Sequence, residues 1–161
     1  MGFRIPFPGV VAWLTCFTLW IGISGCTKDP VIEAGGAIFS KYCATCHQPD
    51  GNGISGAFPS LHDSEWVAGD KGRLIRLVLR GMQGSIEIKG ETFNNVMTPH
   101  DFLSDDQISS VLTFLRQTFQ NDADSVSVRD IGLVRASLIS EELFIASELA
   151  ELTGIPLPSN E

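Results

Sequence analysis

A chain of 161 residues suffices for one core-forming domain with an appendage and leaves no room for two large ones. With 11 basic residues against 19 acidic ones its formal net charge is −8, which argues against nucleic acid and against adsorption to anionic lipid. The 43% of hydrophobic residues overstates the apolar character of the folded part, because much of it falls within residues 1–25.

After the single positive charge of Arg4, an uncharged run from Val10 to Ile23 holds Trp13, Leu14, Phe17, Leu19, Trp20 and Ile21. A membrane-spanning helix needs about 20 uninterrupted apolar residues. This run is shorter, contains Thr15, Thr18 and Gly22, and ends in Ser24-Gly25-Cys26, so residues 1–25 read as a cleaved export signal. Ile23-Ser24-Gly25-Cys26 resembles the bacterial lipobox, which implies lipidation at Cys26 and a short tether over residues 26–30. A lipid-anchored protein of the cell envelope, facing the periplasm, is the expectation; a plain signal peptide cut beside a cysteine is the competing reading. Removal of the signal takes away Arg4 and Cys16 and no acid, so the charge goes from −8 to −9.

Ile38, Phe39 and Tyr42 form an apolar stripe at helical spacing that leads into Cys43-Ala44-Thr45-Cys46-His47. That pattern is a haem-attachment motif. Two thiols three residues apart on a helical turn can each add to one vinyl group of a haem, and His47 then lies under the iron as proximal ligand. A thiol/disulfide pair and half of a zinc site are the alternatives. The first expects a thioredoxin-like order of strand and helix. The second needs further ligands, for which only His62 and His100 remain. One covalently attached haem c with its iron is therefore the expected cofactor.

Asp50 to Gly56 is a glycine-rich loop without the lysine of a phosphate-binding loop, expected to let backbone approach a porphyrin. Leu74, Leu77, Val78 and Gly81 mark a second helix, at whose end Met82 reads as a core methionine. A short pairing around Ile86–Gly90 fits the loop that follows. An electron-transfer haem needs a second axial ligand, commonly methionine or histidine. Met97 stands in Asn94-Asn95-Val96-Met97-Thr98-Pro99, a polar, turn-forming segment where a thioether has little local reason to be buried. Met97 is the expected distal ligand and His100 the runner-up. Ser104-Asp105-Asp106-Gln107 has the form of a capping box, opening a helix whose apolar face is Ile108, Val111, Leu112, Leu115 and Phe119. Asp122 to Ser125 reads as a linker. Beyond it, Val128, Ile131, Val134 and Leu138, then Ser140 as a cap, predict one or two more helices, either packed around the main domain or serving to dock a partner.

From about Val31 to Asn121 the chain resembles a class I cytochrome c domain. Gly35 and Phe39 stand before the haem motif as a glycine and an aromatic do in that family, where they pack on the last helix. Phe58-Pro59-Ser60-Leu61 resembles the segment whose proline carbonyl accepts the proximal histidine's second ring proton. The resemblance thus implies that Pro59 orients His47, that Leu61 covers the haem edge and that Met97 is the iron ligand; for Trp66 it implies packing near a haem propionate, with a simple core tryptophan as the equal alternative. Thr98 intervenes before Pro99, where the family usually has proline directly after the methionine or nearly so. The fold implied is all-α, a cytochrome c domain over 31–121 with a helical C-terminal extension over 122–161. The function implied is that of an electron carrier rather than an enzyme, exchanging electrons with a dehydrogenase, oxidase or reductase. The rival readings are a small peroxidase-like haem enzyme and a haem-based sensor with a labile distal ligand.

Overall fold

The computed structural model of the chain describes residues 1–2 and 29–155; the rest of the expected export signal, and Cys26, lie outside the described residues. Helix α1, Pro30–Tyr42, begins where Asp29 accepts a hydrogen bond from the Val31 N–H at 2.8 Å and Pro30 takes the first helical position, a place where its missing N–H costs nothing. Helix α5, Asp105–Gln117, opens with the capping box read from the sequence: the Gln107 N–H donates to Ser104 Oγ, and Gln107 Oε1 accepts from the Ser104 N–H. Ile108 and Leu112 on its inner face are 0% exposed, and burial of such a side chain contributes about 1.5–3 kcal/mol. Helices α1 and α5 pack on each other through Gly35, which sits against Ser110 and Phe114.

Between these two helices run α2, Ala44–His47, α3, Glu65–Ala68, and α4, Lys71–Arg80, followed by β1, Met82–Gln83, and the hairpin of β2, Ile86–Ile88, and β3, Glu91–Phe93. The hairpin turns at Lys89-Gly90, both with positive φ, as a two-residue hairpin turn requires. After α5 come α6, Val128–Ser137, β4, Phe144–Ile145, and α7, Ala146–Glu151. Helices dominate, and the strands are only two or three residues long, in keeping with an all-α class.

The apolar interior divides into two clusters. One joins Phe39, Leu74, Leu79, Ile108, Leu112, Ile131 and Val134; the other joins Trp66, Leu77, Met82, Ile86, Phe93 and Leu149. Ile131 and Val134 of α6 are fully buried in the first, and Leu149 of α7 in the second, so the extension shares the interior of the main body.

Three expectations are corrected. Phe119 is not on the apolar face of α5: the helix ends at Gln117, and Phe119 takes a φ of 50°, turning its ring onto Phe39, Phe114 and His62. Ser140 caps no helix; its hydroxyl accepts from the Glu142 N–H, the chain then enters β4, and α7 starts at Ala146. The segment Asp122–Ser125 is tied down rather than free. Arg116, 2% exposed, donates to the carbonyls of Val67, Gly69 and Asp124 and to Asp124 Oδ1 at 2.7–2.9 Å, while Lys71 pairs with Asp124 from the other side.

Candidate functional site

The Cys43–His47 segment leaves α1 through a break. The Cys43 N–H still donates to Phe39 O, and Cys43 O accepts from both the Cys46 and His47 N–H groups, so the chain makes one further turn as α2. That turn brings Cys43, Cys46 and His47 to one wall of a largely apolar cavity that opens to solvent at its mouth. Both thiols are free.

His47 is positioned by its neighbours rather than by its own turn. Its Nδ1–H donates to Pro59 O at 3.0 Å. A carbonyl can only accept, so the proton resides on Nδ1 and the Nε2 lone pair is left for a metal. Burial pulls the imidazole's pKa below its ordinary value and nearby His100 acts the same way, against the opposing pull of the Pro59 carbonyl; the neutral ring is the form that can ligate.

The glycine-rich loop sets the distance between His47 and Pro59. The Gly53 N–H donates to His47 O at 2.9 Å and the Leu61 N–H to Gly51 O at 2.8 Å. Gly53, at φ 68°, lies so close to the Phe58–Pro59 backbone that a Cβ would fall 2.2 Å from Phe58 O, so only glycine fits there. The loop's glycines are not among the residues that line the cavity. Instead the loop fastens the Pro59 segment beneath the histidine.

Leu61, Trp66, Leu74, Val78, Phe93 and Leu112 are among the apolar residues lining the remaining walls. Asn121, read from the sequence only as the end of the domain, is 7% exposed. It accepts from the Ser64 N–H and donates to Leu61 O and Leu115 O at 2.8–3.0 Å, which fixes three lining residues at once. Nothing in its local sequence signals this, because all three partners are distant or determined by the fold. Trp66 is 8% exposed, with the Arg73 guanidinium over its ring at 4.4 Å.

Met97 also lines the cavity, and it packs against both apolar clusters. Its backbone forms a reciprocal pair of hydrogen bonds with Met82, each 3.0 Å. Met82 is 7% exposed within the second cluster, as a core methionine would be, although it too reaches the cavity. His100 lines the cavity and donates from Nδ1 to Thr98 O at 2.9 Å. His62 stays outside: it packs on Phe119 and donates from Nε2 to Asp50 O at 2.6 Å.

These residues fit a flat apolar macrocycle better than they fit the alternatives. Burial, with Cys46 adding to it, pushes the Cys43 thiol up to about 11, the reverse of the lowered pKa that a thiol/disulfide catalyst requires. No group of three or more His, Cys, Asp or Glu side chains that could hold a zinc ion occurs among the described residues. A wide, apolar cavity flanked by two free thiols, an imidazole with a free Nε2 and a thioether supplies what a covalently tethered iron porphyrin needs. Cys43 and Cys46 would hold it by two thioether bonds, and His47 and Met97 line the same cavity.

Known proteins agree with that chemistry. The family model described as cytochrome c matches residues 32–119. Cytochrome c-552 of Thermus thermophilus is 44% identical over 124 residues, covering 71% of this chain and 94% of the relative. The cbb3-type cytochrome c oxidase subunit FixP of Sinorhizobium medicae is 30% identical over 93 residues, 55% of this chain and 30% of the relative. The cytochrome c subunit of a quinone alcohol dehydrogenase from Gluconobacter oxydans is 31% identical over 109 residues, 65% of this chain and 22% of the relative.

Proposed function

Since this chain belongs to the cytochrome c family, as a monohaem class I member with covalently bound haem c, we propose that it carries single electrons with the iron held between His47 and Met97. When bound, the haem supplies one-electron exchange between ferric and ferrous iron. The observation that carries the proposal is the Nδ1–H bond from His47 to Pro59 O, in one cavity with a methionine held by reciprocal backbone bonds.

The protein's residues divide the work. Cys43 and Cys46 tether the group, so that it is retained outside the cytoplasm. Pro59 O holds the His47 ring in one tautomer and orientation and increases its basicity. Leu61 and the other apolar lining residues exclude water, which keeps the local dielectric low and favours the less charged, reduced state. With His47 and Met97 both holding the iron, the bound group would offer no open site to a small oxidant, as suits an outer-sphere carrier rather than a peroxidase-like enzyme.

The relatives named for an oxidase subunit and a dehydrogenase subunit support redox partners of those kinds. The net charge of −8 favours steering toward a basic docking face. The lipobox-like Ile23–Cys26 segment supports attachment to a membrane from its periplasmic side through a lipid on Cys26; among the described residues no helix is long and apolar enough to cross a bilayer.

The ligand assignment is tested on the oxidised holoprotein. The weak near-infrared sulfur-to-iron band is expected in the unmutated protein, lost in Met97→Ala and retained in Met82→Ala. The opposite pattern would transfer the ligand role to Met82.

A further inference from the structure

The chain that continues past the family-matched residues 32–119 returns to β1, the strand whose Met82 bridges to Met97. Met82 in β1 exchanges both its backbone hydrogen bonds with Met97. On the other side, β1 pairs in parallel with β4, Met82 opposite Phe144 and Gln83 opposite Ile145, and the Phe144 N–H donates to Gly81 O at 3.3 Å. The order across this small assembly is therefore Met97, β1, β4, with β1 held from both edges.

Side chains repeat the arrangement. Ala146 is 4% and Leu149 0% exposed, in the same cluster as Trp66, Leu77, Met82 and Phe93, against which Met97 packs. Gly81 is pinned between the two segments: at φ 65°, a Cβ there would lie 2.1 Å from Met97 O and 3.0 Å from Leu143 Cδ2. The far end of the extension is fastened as well. The Gly154 N–H donates to Asp70 Oδ2 at 2.9 Å, and Arg76 Nη1 donates to Gly154 O at 3.0 Å. The extension thus meets α4 at its first turn and again beyond its last residue.

We infer that the segment from Leu143 to Leu149 is a positioning element for the distal ligand, fixing β1 and through it the Met97 sulfur. The inference rests on the reading of Met97 as the iron ligand. A two-residue strand with one bridged partner has little stability of its own. A neutral thioether is also a weak donor, so the fraction of time it stays on the iron depends on how little conformational freedom its loop regains on release. β4 and Leu149 remove that freedom from outside the family domain. A merely structural role would lower global stability and leave ligation unchanged.

The test compares full-length holoproteins. Leu149→Ala opens space behind Met82, Leu149→Met refills it, and Val134→Ala damages the other apolar cluster. In the reduced protein, carbon monoxide binding to Leu149→Ala is expected to accelerate by about tenfold or more, with loss of sulfur-to-iron band amplitude after oxidation. Leu149→Met restores both, and Val134→Ala stays within about twofold of the parent despite its own thermal destabilisation. Equal rates in Leu149→Ala and Val134→Ala would overturn the inference. An unmutated protein without the band would instead overturn the Met97 reading and this inference with it. Amide exchange of the unmutated holoprotein gives a second readout that needs no variant. The Met97 and Phe144 N–H groups are expected to open together, and a Met97 amide still protected after Phe144 has exchanged would contradict the role.

Discussion

Adjacent glycines on α1 provide opposite tests of how the two long helices pack. A Cβ built on Gly35 falls 2.2 Å from Ser110 O, 2.8 Å from Ser110 C and 2.6 Å from Phe114 Cβ. These are backbone and Cβ atoms of α5, which cannot swing aside. Restoring contacts of about 3.5 Å requires the helices to part by about 1 Å, in an interior packed like a crystal. Overpacking of this kind costs about 3 kcal/mol, the upper part of its usual range, against which the better helix propensity of alanine returns about 1 kcal/mol. Gly35→Ala is therefore expected to destabilise the holoprotein by about 2 kcal/mol, a fall in Tm of roughly 4–8 °C. At Gly36 the nearest atom to a built Cβ is Phe114 Cε2 at 3.3 Å, the outer part of a half-buried ring, so Gly36→Ala is expected to gain about 0.5–1 kcal/mol from propensity alone. Guanidinium unfolding followed by far-ultraviolet circular dichroism measures both. A Gly35→Ala protein as stable as its parent, or a Gly36→Ala protein equally damaged, would refute the packing argument.

Further outcomes follow from other contacts. Arg116→Ala should cost about 3 kcal/mol or more in chemical denaturation, because it strips charge-assisted bonds from three carbonyls and from Asp124. Lys71 and Arg116 hold the Asp124 carboxyl below its ordinary value of 3.8. The stabilisation linked to that group is therefore complete above pH 3.8 and is lost as pH falls through the lower folded-state value, and Asp124→Asn should flatten the acid limb of a stability-against-pH curve. Glu91 accepts from Ser55 Oγ and the Gly56 N–H at 2.5–2.6 Å; Glu91→Ala should change global stability by less than about 1 kcal/mol in this exposed setting, while the Gly56 amide exchanges faster. Cys26→Ser should release the protein from membranes into the soluble periplasmic fraction, and continued sedimentation with membranes would contradict the lipid anchor.

Much of the architecture was legible because it is encoded locally. Ser104 and Gln107 satisfy each other's backbone groups within one turn, and Ile108, Val111 and Leu112 repeat at helical spacing, so α5 could be placed from its own residues. The cavity wall of Cys43, Cys46 and His47 is likewise one contiguous segment, and Pro59, Leu61 and Met97 line the same cavity. What could not be read depends on distant partners. β1 and β4 are two residues each and carry no period, and their parallel pairing spans about sixty positions of sequence, so no local pattern announces it. Phe119 continued the apolar spacing of α5 but lies past the helix end, where the need to cover Phe39 and His62 outweighs periodicity. Arg116 and Asn121 carry no local signal of burial; each is buried because carbonyls from remote segments converge on it.

Which side chains meet the iron decides how this protein works, and the methionine methyl groups report it most directly. With selectively labelled methionine, the reduced holoprotein is expected to show one methyl resonance displaced far upfield by the ring current of the macrocycle, assigned to Met97 through its disappearance in Met97→Ala. A displaced methyl that persists in that variant and vanishes in Met82→Ala, or no displaced methyl in the parent protein, would contradict ligation by Met97.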